Sequence, residues 1–188
     1  KKGFFIEAGA YDGVSQSNTY FLEKAKEWNG ILIEPMPVNF DKITLNRTVS
    51  AVNCALVDSN FIDSEIKINY AGLMSVTNGV MGKDQTKEHV ANGICLHNFK
   101  SSYQIRVEAR TLSSIIDEFG SPSIDFLSLD VEGAETFVLN GIDFERPRPK
   151  YILVEERKHN ETMSLIESFQ YIFLDQLTNH DYLYKDTN

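Results

Sequence analysis

Residues 4–13 have the sequence FFIEAGAYDG, in which a continuous apolar run meets an acidic residue and then two glycines. A continuous run of this kind is typical of a parallel strand that is covered on both faces. Glycines at the turn from such a strand into a helix let a ligand approach the backbone closely. The spacing Gly9-x-x-x-Gly13 differs from the Gly-x-Gly-x-x-Gly fingerprint of dinucleotide sites. The stretch therefore predicts a strand, a ligand-binding turn and a helix, and it disfavours a nicotinamide site.

Further short apolar runs along the chain have the same character, and helical patterns separate several of them. The predicted strands are residues 4–8, 30–33, 50–57, 124–129 and 151–154, and the predicted helices are residues 17–27, 37–46 and 111–119. Alternating strands and helices predict an α/β sheet with right-handed crossovers. Residues 171–177 and 182–185 flank a polar turn, which predicts an antiparallel hairpin at the C-terminal end.

Residues 58–110 break the alternation of strand and helix. Residues 63–70 alternate like an edge strand, and residues 105–109 alternate again. Residues 72–102 are rich in Gly, Asn, Ser, Lys and His, as in a long loop or lid. The length of 188 residues predicts one domain, with residues 58–110 as an insertion on the acceptor side. The first predicted strand begins close to the first residue, which we interpret as a domain taken from a longer chain.

The net charge and the composition indicate which classes of binding partner are disfavoured. The formal net charge is −9, which disfavours nucleic acid and anionic membranes as partners, because both bind basic surfaces. No apolar run is long enough to cross a bilayer, so we expect no membrane insertion. The two cysteines, Cys54 and Cys95, cannot form a disulfide framework and are predicted to be reduced, part-buried thiols. The predicted location is the cytoplasm.

Acidic residues lie at the ends of the first two predicted strands. Glu7 and Asp12 flank the glycine turn, and Glu34 ends the second strand. Carboxylates repel a pyrophosphate but favour an ammonium or a sulfonium group. An acidic residue about 20 positions after a glycine turn suits the hydroxyls of a ribose. These features favour an adenosine-containing cofactor with a cationic end, and S-adenosylmethionine fits that description better than NAD.

Residues 124–135, IDFLSLDVEGAE, form a second strand-to-turn segment. A hydrophobic strand ends there in Asp130, and the strand at 151–154 ends in Glu155 and Glu156, with His159 close behind. In an open parallel sheet, ligands bind outside the carboxyl ends of the strands. We therefore expect Asp130 to face the same crevice as Glu34.

These segments resemble the FkbM family of S-adenosylmethionine-dependent methyltransferases. The resemblance is carried by residues 5–13, 17–19, 34–35 and 125–135, and it covers the chain from residue 3 to about 156. It implies the class I methyltransferase (Rossmann-like) fold, a mostly parallel seven-stranded sheet with a reversed last strand and helices on both faces. It also implies O-methylation of hydroxyls on sugars, glycans or polyketide-type metabolites.

Under this interpretation, most of the cofactor contacts come from the first three strand ends. Close approach of the methionine part is assigned to Gly9, Ala10 and Gly13, and its polar groups to Glu7, Asp12, Asn18 and Thr19. The ribose is assigned to Glu34, one side of the adenine to Pro35, and the adenine edge to Asn53 and Ala55.

Methyl transfer to a hydroxyl needs an aligned acceptor and a group that takes its proton. Asp130, which also borders the cofactor, is the first candidate for the proton acceptor. His159 is the alternative base, because a neutral imidazole suits this role near neutral pH. A divalent metal, Mg²⁺ or Mn²⁺, held by Asp130 with Glu155 or Glu156 is a third possibility, since it would lower the hydroxyl pKa.

The sequence thus favours an S-adenosylmethionine-dependent O-methyltransferase that acts on a hydroxyl of a sugar or glycan. Three alternatives stay open: O-methylation of a non-sugar metabolite, a nicotinamide-dependent oxidoreductase, and a non-catalytic interaction module with the same fold. The expected partners are a small hydroxylated acceptor and fused glycosyltransferase or other biosynthetic domains.

Overall fold

The computed structural model describes residues 2–70, 76–77, 103–156 and 159–188. Its strands are β1 (Phe4–Ala8), β2 (Asn29–Ile33), β3 (Ser50–Val52), β4 (Ala55–Leu56), β5 (Glu65–Tyr70), β6 (Val76–Thr77), β7 (Tyr103–Arg110), β8 (Phe126–Leu129), β9 (Tyr151–Glu155), β10 (Tyr171–Gln176) and β11 (Asp181–Asp186). Its helices are α1 (Tyr20–Lys26), α2 (Pro37–Asn46), α3 (Leu112–Glu118), α4 (Glu135–Leu139) and α5 (His159–Ser168).

The main sheet has seven strands in the order β10-β11-β9-β8-β1-β2-β3. The strands from β9 to β3 are all parallel, whereas β11 runs antiparallel to both β9 and β10. Its central strand, β1, pairs Phe5 with Gly30 of β2 on one side and with Phe126 of β8 on the other. The predicted fold class, with its C-terminal antiparallel hairpin and reversed strand, is confirmed.

Both faces of this sheet are covered, which explains the continuous apolar runs of its central strands. Ile6 and Leu127 face one side and pack in a cluster with side chains of α3, α4 and α5. Phe5 and Leu32 face the other side and pack with Ile43 of α2 and with α1. Successive strand residues point to opposite faces, so each central strand must be apolar at every position to be buried on both.

The predicted strand at residues 50–57 is wrong as a single element. Residues 50–52 form β3 at one edge of the main sheet, and residues 55–56 form β4 of a second sheet in the order β4-β7-β5-β6. The side-chain amide of Asn53, between them, donates to the backbone carbonyls of Glu34 (2.7 Å) and Pro35 (3.1 Å). These bonds tie the chain to the end of β2 at the point where it leaves the main sheet.

The second sheet stands beside the carboxyl end of β2. Its buried side chains, Ile66, Ile68 and Val107, pack against Met36 and Val57. The alternating segments that the sequence indicated at 63–70 and 105–109 correspond to β5 and β7, which pair antiparallel. The predicted loop at 72–102 lies outside the described residues except for 76–77, and Cys95 lies outside them as well.

The helices show which elements the sequence patterns predicted and which they did not. Helix α2 matches its prediction, and α3 lies within residues 111–119. Two helices, α4 and α5, were not predicted. Among the described residues, no helix has both the length and the apolar character that a bilayer span requires.

Candidate active site

A cavity opens at the carboxyl ends of β1, β2 and β8, and the second sheet closes part of it. Eight of the residues assigned from the sequence line it: Glu7, Gly9, Ala10, Asn18, Glu34, Pro35, Ala55 and Asp130. Tyr11, Asn39, Cys54, Ile68 and Glu132 are among the other lining residues. Asp12, Gly13, Thr19, Asn53, Glu155 and Glu156 lie outside this lining.

Gly9 is the point where three strand ends meet. Its N–H and that of Ala10 both donate to the carbonyl of Ile33, at 3.0 and 3.1 Å. Its φ is 84°, and a Cβ built on it would lie 1.7 Å from the carbonyl oxygen of Asp130. Only glycine fits between the ends of β2 and β8 in this conformation. The sequence predicted that a ligand approaches the backbone closely at this turn. In the structure, the backbone of Gly9 is in close contact with the backbone of Asp130.

Glu7 is buried and holds the segment that leads into α1. Its carboxylate accepts hydrogen bonds from the hydroxyls of Ser17 (2.9 Å) and Thr19 (2.6 Å) and from the N–H of Asn18 (2.9 Å). Burial raises the pKa of Glu7, although these donors oppose the shift. These bonds hold residues 17–19 ahead of α1, which begins only at Tyr20 rather than at residue 17 as predicted. Thr19 is therefore engaged with Glu7 rather than with the cavity.

Asn18 and Asp12 differ in what they face. The side-chain amide of Asn18 donates to the hydroxyl of Ser128 at 3.0 Å, at the wall of the cavity. Asp12 instead accepts from the N–H groups of Val14 (2.9 Å) and Ser15 (2.7 Å), as in a turn closed by its own side chain. Partial burial raises the pKa of Asp12, but these donors outweigh it and the net shift is downward.

Arg47, which the sequence analysis did not identify, lies under the glycine turn. Its side chain is fully buried and donates to the carbonyl of Gly13 (2.8 Å) and the hydroxyl of Thr19 (3.0 Å), and it pairs with Glu23. It also lies 3.6 Å from Glu7. The sequence offers one clue to this role: a buried strand-end carboxylate such as Glu7 needs a cation or several donors nearby.

Glu34 is buried at the end of β2 with both oxygens engaged by the backbone. Oε2 accepts from the N–H of Tyr11 and Oε1 from the N–H of Met36, each at 2.9 Å. Burial raises its pKa to about 7, against the effect of these N–H donors. Oε1 also accepts from Nδ2 of Asn39 at 3.4 Å. Each carboxylate oxygen can accept two hydrogen bonds, so Oε2 keeps a lone pair for a ligand donor. That arrangement suits one ligand hydroxyl.

Asp130 follows β8 and is part-buried at the cavity wall. Its N–H donates to the carbonyl of Ala8 at 3.1 Å, which fixes it beside the glycine turn. Burial raises its pKa well above the ordinary value, and the neighbouring carboxyls of Glu155 and Glu132 raise it further. A carboxylate with a raised pKa is a stronger base, which suits a proton acceptor.

The predicted metal site is not supported. The carboxyl of Glu155 hydrogen-bonds to that of Asp130 and raises the pKa of Asp130. Glu156 is buried and contacts the hydroxyls of Tyr184 (3.4 Å) and Thr162. In the described part of the chain, no three His, Cys, Asp or Glu side chains are grouped so as to hold a metal ion. His159, the alternative base, begins α5, and its side chain lies outside the described residues.

The charge of the cavity is one-sided. Its described lining contains the carboxyl groups of Glu7, Glu34, Asp130 and Glu132, and no Lys, Arg or His belongs to that described lining. Cys54 contributes a buried thiol whose pKa burial raises to about 12. The cavity therefore suits a ligand that is cationic or rich in hydrogen-bond donors, and it is unsuited to a phosphate.

The fold is of the methyltransferase type. It combines a seven-stranded sheet containing a reversed strand with a glycine turn after β1 and an acidic residue after β2. The cavity lies at the carboxyl ends of the parallel strands. The sequence model of the methyltransferase FkbM domain matches residues 7–184, and the chain belongs to this family.

Two relatives extend this comparison. Methyltransferase sdnD from Sordaria araneosa is 26% identical over 163 residues, which cover 76% of this chain and 61% of that protein. The crystal structure of methyltransferase FkbM from Methylobacillus flagellatus KT matches with a TM-score of 0.55 and 15% identity, over 98% of this chain and 43% of that chain. The chain therefore spans less than two thirds of either relative.

Proposed function

We propose that this protein transfers a methyl group from S-adenosylmethionine to a hydroxyl of a sugar or glycan. The observation that supports the proposal is the cavity itself, in which Oε2 of Glu34 can accept from a ligand hydroxyl and Asp130 lies across the glycine turn. Membership of the FkbM domain family supports the methyl-transfer part of the proposal. The name of the sdnD relative supports the same reaction class.

The described lining fits the cofactor. Its carboxylates favour a sulfonium over an anion, because opposite charges attract strongly in a part-buried site. Glu34 would accept from one ribose hydroxyl through Oε2, and Pro35 and Ala55 would border the adenine. Asn53 donates to the carbonyls of Glu34 and Pro35 and so fixes the turn after β2. It would position the residues that border the adenine, although it does not itself line the cavity.

Asp130 is the proposed proton acceptor. When bound, S-adenosylmethionine supplies an activated methyl group, whose bond to sulfur breaks as the bond to the acceptor oxygen forms. Asp130 takes the hydroxyl proton as that new bond forms, and its raised pKa strengthens it for this role. Glu132, which shares the cavity wall, gives a second carboxylate for orienting a hydroxylated acceptor. The apolar side chain of Ile68 from the second sheet closes the wall and limits water.

The test has two stages. Titration calorimetry should show binding of S-adenosylmethionine and S-adenosylhomocysteine, and no binding of NAD. Transfer of an isotopic methyl group is then screened over free sugars, nucleotide sugars, oligosaccharides and non-sugar alcohols. Failure to bind either adenosyl compound would refute the proposal, and transfer only to non-sugar alcohols would refute its sugar part.

The same assay tests Asp130. Asp130→Asn should lower turnover by about 10²–10⁴-fold, the usual loss on removing a general base. Cofactor affinity should stay close to that of the wild type. Asp175→Asn, at an exposed position on β10, is the matched control and should leave turnover unchanged. Near-normal turnover in Asp130→Asn would show that another group takes the proton.

A further inference from the structure

Asn39, in the first turn of α2, has a buried acceptor that the described structure leaves unsatisfied. The residue is 1% exposed and lines the cavity. Its side-chain Nδ2 donates to Oε1 of Glu34 at 3.4 Å, whereas its Oδ1 has no hydrogen-bond partner among the described residues. A buried acceptor without a partner is destabilising, because it has lost its bonds to water and gained none in the protein. A ligand in the cavity would relieve that destabilisation.

The orientation of the amide follows from its neighbour. In the observed orientation, the Nδ2 donor of Asn39 faces Oε1 of Glu34, which is an acceptor. Rotating the amide would place Oδ1 against the carboxylate, and both groups are then acceptors. Oδ1 is therefore the atom that faces a ligand, and the ligand must supply the hydrogen-bond donor.

We propose that Oδ1 of Asn39 accepts a hydrogen bond from a ribose hydroxyl of the bound adenosine group. This inference rests on the proposed function, in which the cavity binds S-adenosylmethionine. Oε2 of Glu34 and Oδ1 of Asn39 are the acceptors left for a ligand, because Oε1 of Glu34 already accepts from the N–H of Met36 and from Nδ2 of Asn39. A vicinal diol supplies two O–H donors to such acceptors. Asn39 thus makes the site select a ribose over a deoxyribose.

The test is a coupling experiment on S-adenosylhomocysteine and its 2′-deoxy and 3′-deoxy derivatives. Wild-type protein should bind one deoxy derivative about tenfold more weakly, which is the typical loss of one hydrogen bond. Asn39→Leu, similar in volume but without the acceptor, should bind S-adenosylhomocysteine about tenfold more weakly than the wild type. It should show no further loss with that same derivative. Asp41→Asn, exposed on the same helix, is the control and should behave as wild type.

The outcomes separate the inference from the function it rests on. Equal losses on the deoxy derivatives in wild type and Asn39→Leu would overturn the role of Asn39. Coupling of Asn39 to the 6-amino group, measured with the purine derivative lacking that group, would also overturn it. If Asn39→Leu does not fold, Asn39→Ala is compared in the same way. Absence of S-adenosylhomocysteine binding to the wild type would instead refute the proposed function.

Discussion

At the scale of the residue, Gly9 shows how little space separates the glycine turn from the proposed base. Its positive φ would strain any other residue, and the missing side chain leaves room for the carbonyl of Asp130. Gly120 has a similar φ of 76° but open space where a Cβ would stand. Substitution of Gly120 would therefore test backbone strain alone, whereas substitution of Gly9 would test strain together with a steric clash.

Gly9→Ala should destabilise the protein by more than about 4 kcal/mol, because strain and a backbone clash add together. Gly120→Ala should cost only about 1–2 kcal/mol, the cost of the left-handed conformation alone. Urea unfolding of both variants measures the difference. Equal losses would mean that the ends of β1 and β8 move apart easily.

The sequence predicted which residues gather at this edge, and it was less informative about what each one does. Glu34 and Asp130 line the cavity, as strand-end carboxylates should. Glu7 also lines the cavity, but the carboxyl groups of Glu7 and Asp12 bind the loop after β1, because hydroxyls and N–H groups nearby in the chain compete for them. Such competition depends on loop conformation, which residue types alone do not specify.

At the scale of the element, residues 9–19 connect β1 to α1 without regular structure over most of their length. These residues are held by Glu7, near the end of β1, and by Arg47, which follows α2 and lies beneath the loop. The guanidinium of Arg47 also lies over the rings of Phe5 and Tyr20, 5.7 and 5.5 Å from their centroids. One buried cation thus connects α1, α2 and the glycine turn.

Arg47→Met should destabilise the protein by about 3–5 kcal/mol, since it leaves the carboxyl of Glu7 buried without a cation and removes the buried partner of Glu23. Arg106→Met removes an exposed pair with Glu65, 3.7 Å apart, and should cost at most about 1 kcal/mol. Chemical denaturation compares the two. A similar small loss in both variants would show that Arg47 is dispensable for the turn.

Some elements could not be derived from local patterns. Helix α4 has five residues and begins just after two residues of positive φ, Glu132 and Gly133, so it offers too little periodicity to detect. The division of residues 50–57 between two sheets depends on Asn53 bonding to the end of β2, a contact between positions 18–19 apart. The strands of the central sheet were predictable because burial on both faces leaves a continuous apolar signal.

At the scale of the whole molecule, several acids are buried with raised pKa values. Burial is the main cause for each member of this set, which comprises Glu7, Glu34, Asp130, Glu135 and Glu156. Glu34 and Glu156 are each shifted to about 7. In the unfolded chain these groups ionise at their ordinary, lower values, so the folded state binds more protons between the two ranges.

Stability should therefore fall as pH rises from about 5 to about 8, as these acids lose their protons in the folded state. Glu23, whose pKa is lowered to about 2 by Lys24 and Arg47 against its burial, acts oppositely and matters only in more acidic solution. Thermal unfolding over this pH range measures the slope. Glu34→Gln should flatten it, and a slope that rises with pH would contradict the assignment.

Cys54 places a sulfur nucleophile in the wall of a cavity that we propose receives an alkylating agent. Only a thiolate attacks an activated methyl at an appreciable rate. With its pKa raised to about 12, about one molecule in 10⁵ carries the thiolate at neutral pH. Under the proposed function, burial of this one side chain would prevent self-methylation at Cys54 and leave the methyl group for the acceptor.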